Sequence, residues 1–177
     1  MNFKTGAPSG QDVLRELRRC KVKNLVTVPD WVQIPLHYAA QQPDSNVRII
    51  NCCTEDEAFM LAAGLHVGGE RSAIVVQNQG LYAGLNALRG IGLDAGIPLV
   101  MLIGQFGREP DNFGSPTKNS RRRIVRLLEP LLEALAIPYW KVESGDQLSV
   151  VARAYETANK NQAPAAIIFD RNMTWDQ

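Results

Sequence analysis

Residues 47–81 read VRIINCCTEDEAFMLAAGLHVGGERSAIVVQNQGL. Val47 to Cys52 and Ser72 to Val76 are short runs dominated by apolar residues, the pattern of strands covered on both faces. Between them, Thr54-Glu55-Asp56-Glu57 has the spacing of a capping box, and Ala58, Leu61, Ala62 and Leu65 recur on one helical face until Gly68-Gly69 stops the run. Strand, helix and strand in that order form a crossover unit, which makes the two strands parallel. The second strand runs into Gln77-Asn78-Gln79-Gly80, a polar stretch with a glycine that reads as a loop.

The same alternation extends both ways. Upstream, Ser9 caps a helix from about Gly10 to Cys20 carrying Val13, Leu14 and Leu17, and Asn24 to Val28 is a strand ended by Val28-Pro29-Asp30. Pro35 suits a first turn, so a helix is expected from Ile34 to Gln41 after a loop at Asp30 to Gln33. Downstream come a helix through Leu85, Leu88 and Ile91, a strand from Ile97 to Ile103, and a long polar connection from Gly104 to Pro116 expected to be mobile or functional. A helix with Ile124, Leu127 and Leu128, interrupted near Pro130, then precedes Tyr139 to Val142, a helix from Gln147 to Asn159 and the strand Ala165 to Phe169. Six strands alternating with helices predict one α/β domain over residues 1–177, with a doubly wound, mainly parallel six-stranded sheet covered by helices on both faces.

Composition removes several classes of function. The 177 residues carry 19 Lys and Arg against 18 Asp and Glu, a net charge of +1, and no nucleic-acid motif, so neither nucleic acid nor an anionic membrane is an expected partner. No apolar run approaches the length of a membrane helix, and Met1 to Gln11 lacks the apolar core of a signal peptide, so a cytoplasmic protein is expected. Three cysteines, two of them adjacent (Cys52 and Cys53), and two histidines leave no metal cluster or disulfide framework to expect. Neither G-x-G-x-x-G nor G-x-x-x-x-G-K-[ST] occurs, which excludes a plain dinucleotide or P-loop site.

In a sheet of this kind ligands bind beyond the carboxyl ends of the strands. Four segments fall there: Val28-Pro29-Asp30-Trp31, Asn51 to Glu57, Gln77 to Leu81, and Gly104 to Glu109. Taken alone, Glu55 is a first-turn acid favoured by the helix macrodipole. The triplet Gln77, Asn78, Gln79 is an ordinary turn by composition, and His37 and His66 read as packed or surface histidines. Arg121, Arg122 and Arg123 read first as a solvated face; because they oppose the macrodipole at a helix start, an acidic partner surface or an anionic substrate beside Arg108 are the candidates for an offset.

Glu55 with Ala62-Ala63-Gly64, the Val28-Pro29 pair after the first strand, and Gln77-Asn78-x-Gly80-Leu81 after the third together resemble the pyrimidine-binding domain of thiamine diphosphate enzymes. The order is most similar to sulfopyruvate decarboxylase alpha subunits and the matching half of phosphonopyruvate decarboxylases, over roughly residues 10 to 142. The resemblance implies that Glu55 is the catalytic acid at the cofactor aminopyrimidine, and that Pro29, Gln77, Asn78, Gly80 and Leu81 line the cofactor. Gln79 and Tyr82 stand where that family has smaller loop residues, and with Arg108 they are expected to face substrate.

The resemblance further implies thiamine diphosphate with Mg²⁺, a small 2-oxo acid substrate of the sulfopyruvate kind, and decarboxylation. Carboligation, or a non-catalytic thiamine-binding module, are the alternatives. The Gly-Asp-Gly motif that holds diphosphate and Mg²⁺ in such enzymes is absent, since Ser144-Gly145-Asp146-Gln147 lacks the second glycine. A separate beta subunit is therefore expected to hold the diphosphate and Mg²⁺, in an α₂β₂ or larger hetero-oligomer. Trp31, Tyr82 and Phe106 lie in or beside the edge loops where it would dock.

Overall fold

A computed structural model describes residues 6–175; the first five residues of the amino-terminal stretch weighed above as a leader lie outside it. The strands are β1 (Asn24–Thr27), β2 (Arg48–Asn51), β3 (Ser72–Gln77), β4 (Val100–Gly104), β5 (Tyr139–Val142) and β6 (Ala165–Phe169). They form one sheet in the order β2-β1-β3-β4-β6-β5, and every pairing is parallel. The expected strand extents hold to within a residue or two except at β4, which begins at Val100 because Pro98 has no N–H to enter the ladder earlier.

Alternate strand residues feed two separate cores. Leu25, Val75, Leu102 and Ile167 pack with Val13, Leu14 and Leu17 of α1 (Gly10–Arg19), Leu36 of α2 (Ile34–Gln41) and Val151 of α8 (Val150–Asn161). Val26, Ile74, Val76, Met101 and Ile168 pack on the opposite face with Ala58, Phe59 and Ala62 of α3 (Glu55–Val67). The same side carries Leu81 of α4 (Asn78–Ala83) and Leu128 and Leu132 of α7 (Leu128–Ala134), which follows the short α6 (Arg123–Arg126). With both faces covered the strands lack a wet side, so they read as apolar runs and not as alternation. Each fully buried side chain of this size, such as Phe59 or Leu17, contributes about 2 kcal/mol of transfer free energy.

Local signals behave as their chemistry requires at most ends. Ser9 Oγ accepts from Asp12 N at 3.1 Å and starts α1, and Pro35 sits in the first turn of α2. The segment expected as a loop at Asp30 to Gln33 contains a 3₁₀ turn at Trp31–Gln33. The capping box of α3 is only half made: the Glu57 carboxylate accepts from Cys53 N at 2.7 Å, but the Thr54 hydroxyl goes to the Asp56 side chain instead of a backbone N–H. Two expectations need correction. The stretch after β3 is the helix α4 from its first residue, Asn78, and the helix after it is a short α5 (Leu85–Ala87) that widens into a π-helix over Leu88–Asp94.

The connection after β4 is pinned. Glu109, 7% exposed, accepts from the Ser120 hydroxyl at 2.6 Å and from Arg121 N at 2.8 Å, which clamps two 3₁₀ turns at Pro110–Asn112 and Thr117–Asn119. Arg121 also bonds Asp111 at 2.8 Å. Its offset is therefore an acid of its own loop and not a partner's surface. The Ser120 hydrogen bond leads the interactions that hold the Glu109 carboxyl down at about 2, against an ordinary 4.5. A depressed value means that the clamp adds stability above about pH 4.5 and loses it as pH falls through about 2. The Arg121 backbone amide should titrate by NMR with a midpoint near the lower value, whereas a midpoint near 4.5 would show the clamp open in solution.

Candidate active site

β1 leads to β2 on one side and β3 lies on its other side, so the chain reverses direction in the sheet between β1 and β3. This is the switch point at which a crevice opens beyond the carboxyl ends. Pro29, Glu55, Gln77, Asn78 and Gly80 all stand on that edge, at or just after the ends of β1, β2 and β3.

Glu55 is the first residue of α3 and half-buried. Its side chain lies directly on the backbone of α4: a Cβ added to Gly80 would come within 2.1 Å of Glu55 Oε1 and 2.3 Å of its Cγ. One turn further on, a Cβ at Gly84 would meet the Phe59 ring at 2.5 Å and Asp56 N at 3.1 Å. The two glycines form a bare stripe on which the first turns of α3 rest. Leu81, fully buried between them, holds α4 to the sheet. Leu81 is thus a core residue that fixes the stripe, not a wall of the crevice.

Asn78 is fully buried, and its amide nitrogen donates to the Phe106 carbonyl at 3.2 Å, tying the end of β3 to the loop after β4. Gln79 is exposed on the first turn of α4. Gln77 is half-buried and donates from Nε2 to Asp30 Oδ1 at 3.1 Å. Pro29 is exposed and lines a cleft of about 290 Å³ with Ile34, His37, Tyr38, Ile49 and Trp175, on the α2 side of the sheet. His37 bonds the Thr27 hydroxyl at 2.8 Å and the Gln33 carbonyl at 3.0 Å, and burial lowers its pKa. It is a packed histidine, as its position on α2 suggested.

Two residues expected to face substrate are turned elsewhere. The Tyr82 hydroxyl donates to the Ile124 carbonyl at 2.7 Å, and burial pushes its pKa up to about 12. The Arg108 side chain is 1% exposed and paired with Asp170 at 2.6 Å and Glu143 at 3.1 Å, while it also donates to the Ser115 carbonyl at 2.8 Å. This network joins the ends of β4, β5 and β6, away from Glu55. Burial raises the Asp170 pKa, with the Arg108 guanidinium acting against it. Of the aromatics named above, Trp31 is 66% exposed and Phe106 38%, while Tyr82 is half-buried.

Sequence reasoning missed the part played by three residues at this edge. Asp30 is 1% exposed and accepts from Val32 N, Gln33 and Gln77; Gln33 is fully buried; and a Cβ at Gly104 would strike the Asp30 carboxylate. The signal was an acid directly after Val28-Pro29 with a glutamine three residues on; the sequence placed Asp30 and Gly104 in edge segments without giving either a role.

The edge offers an acid resting on a glycine stripe, with amides to either side. Among the described residues no group of His, Cys, Asp or Glu could hold a metal ion. These residues fit the pyrimidine end of thiamine diphosphate, which asks for a carboxyl group.

Residues 9–120, from the cap of α1 to the Glu109 clamp, match the family model described as thiamine pyrophosphate enzyme, N-terminal TPP binding domain. The chain belongs to this family. It is similar to sulfopyruvate decarboxylase subunit alpha of Methanocaldococcus jannaschii, at 26% identity over 130 residues, 73% of this chain and 74% of that one. The Methanococcus maripaludis subunit of the same description is 24% identical over 128 residues, 72% and 74% of the two chains. The Methanothermobacter thermautotrophicus subunit is 34% identical over 77 residues, 42% and 47% of the two.

In this TPP binding domain the Glu55–Gly80 contact leaves no room for a methyl group. Gly80→Ala should swing the Glu55 side chain off α4 while leaving stability within about 1 kcal/mol of wild type, because the displaced group is a flexible, half-buried side chain and alanine is the better helix former. Chemical denaturation measures the cost, and a larger loss would show that Glu55 is held rigidly against the helix.

Proposed function

We propose that the chain is the pyrimidine-side subunit of a thiamine diphosphate-dependent decarboxylase of small 2-oxo acids bearing an anionic group at C3, the class to which sulfopyruvate belongs. The observation that carries this reading is the Glu55 carboxyl group laid on Gly80 at the sheet's switch point. The descriptions of the three similar subunits support the substrate class.

When bound, thiamine diphosphate supplies the electron sink for breaking the bond to the carboxylate carbon. The part of this chain is to hold and move a proton. Glu55 would meet ring N1′ with its carboxyl group, and the glycine stripe leaves the space in which that group lies. Gly80 and Gly84 set the depth at which α3 rests, and Asn78 keeps the loop after β4 closed against the same edge. Gln77 and Gln79 are the amides this chain would present to cofactor and substrate. Tyr82 and Arg108 would act from behind, by holding α4 to α6 and by ordering the loop that contains Phe106.

The diphosphate and Mg²⁺ would be held by a separate beta subunit in an α₂β₂ or larger assembly, docked on the edge where Trp31 and Phe106 are exposed. No helix among the described residues is long and apolar enough to cross a membrane.

Glu55→Gln keeps the size and polarity of the side chain and removes its proton exchange. The assembled enzyme should lose about 10² or more in turnover, the scale of general acid–base catalysis, with folding unchanged. Near-normal turnover would return Glu55 to a helix-terminal role. Product analysis on the same complex separates aldehyde and CO₂ from a coupled acyloin, which would assign carboligation instead.

A further inference from the structure

We propose that Asp30 is a positioning residue of this edge: it fixes the side-chain amide of Gln77 so that the amide oxygen, and not the nitrogen, is offered at the carboxyl end of β3. The inference rests on reading the Glu55 edge as the cofactor site.

Asp30 lies 1% exposed just beyond β1. Its Oδ1 accepts from Val32 N at 2.9 Å and from Gln77 Nε2 at 3.1 Å, while Oδ2 accepts from Gln33 Nε2 at 2.8 Å. Room for the carboxylate exists only because residue 104 is glycine, since a Cβ there would stand 1.8 Å from Oδ2. Gln33 is locked as well: its Nε2 also reaches the carbonyls of Leu102 at 3.1 Å and Val76 at 3.3 Å. Turning that amide over would set its oxygen against a carboxylate and two carbonyls. Gln33 Oε1 is buried and accepts nothing, a cost the fold carries to keep the donor side inward. One carboxylate thus joins the loop after β1 to the ends of β3 and β4 across the switch point.

The consequence falls on Gln77. A carboxylate accepts hydrogen bonds and gives none, so it admits only the nitrogen end of the Gln77 amide. Among the described residues nothing donates to Gln77 Oε1, and that atom is not sealed in the interior. The edge therefore presents a fixed acceptor at the carboxyl end of β3. An acceptor there recognises an N–H or O–H donor on the bound molecules and disfavours a bare anion at the same point. The donor belongs either to the cofactor or to the reacting carbonyl once it has become a hydroxyl.

The experiment compares Asp30→Ala with Asp30→Asn, with a readout that is independent of turnover. In the full chain labelled with ¹⁵N at glutamine, the side-chain amides of Gln33 and Gln77 should be protected from exchange. Asn at position 30 must keep its oxygen toward Val32 N, a backbone donor that cannot turn, and so retains Gln77; its nitrogen then faces the Gln33 nitrogen. Asp30→Asn is expected to keep protection at Gln77 and lose it at Gln33, and Asp30→Ala to lose both.

In complex with the partner subunit, Asp30→Ala should lower turnover by about 10- to 100-fold, the scale of a hydrogen bond to a charged group. Asp30→Asn should lose at least about tenfold less than that. A weaker cofactor Kd in Asp30→Ala assigns the donor to the cofactor, whereas a lower kcat with cofactor Kd and KM unchanged assigns it to the reacting substrate. Protection at Gln77 that survives Asp30→Ala overturns the inference. So does an Asp30→Asn enzyme as slow as Asp30→Ala, which would make the carboxylate itself a reacting group.

Should Asp30→Ala not fold by circular dichroism, Gln77→Met is expected to reproduce the turnover loss with Gln33 still protected, and unchanged turnover would overturn the inference. A wild-type complex inert toward every 2-oxo acid would sink the proposed function, while the Gln77 resonance still decides the orientation of the amide.

Discussion

The approach of the Glu55 side chain to the α4 backbone is the contact around which much of the functional edge is arranged. Helices on one face of a sheet ordinarily stand apart by the thickness of their side chains. Here two glycines one turn apart let the start of α3 settle onto α4, and Leu81 between them anchors the lower helix in the core beneath. The contact needs β2 and β3 to flank β1, because only then do the helix entering from β2 and the helix leaving β3 meet over one edge. Topology, glycine spacing and the place of the acid are three aspects of a single constraint.

Polar chemistry is divided along that edge. Near β1 and β3 it consists of neutral amides gathered on one carboxylate, with hydrogen bonds and not ion pairs setting the geometry. Near β4, β5 and β6 it is ionic: Arg108 bridges Asp170 and Glu143, and Lys141 reaches Asp170 at 3.5 Å and Glu129 at 3.2 Å. A buried network of this sort adds little net stability, because desolvation consumes much of the attraction, but it penalises every arrangement that leaves one member unpaired. Its effect is to specify how the long loop after β4 is seated.

The fold was legible because burial on both faces writes strands as apolar runs, and Ser9, Pro35 and Gly68 mark helix ends by mechanisms that act locally. Helix α4 was not, since Asn78-Gln79-Gly80 has turn composition and becomes helical only through the contacts of Gly80, Leu81 and Gly84. The π-helix over Leu88–Asp94 left no periodic trace among its glycines. Within the candidate site, Glu55, Gly80 and the amides were found by their order along the chain, while the burial of Arg108 was hidden because its partners lie 35 and 62 residues later in sequence, after β5 and β6. Asp30 was placed at the edge but given no role, because nothing in its local sequence shows that its carboxylate is buried and gathers Gln33 and Gln77.

The bare stripe on α4 also has a hereditary side. Positions 55 and 80 are not free to vary one at a time, since a side chain at 80 occupies the volume in which the acid lies. A lineage that retains the acid must retain the glycine, whereas one that has replaced the acid by a small residue can fill the gap and gain a better helix former. Among descendants of this fold, an alanine or serine at the position of Gly80 therefore marks an acid that no longer lies on α4. It can be read from genome sequence alone, even where the rest of the edge is intact.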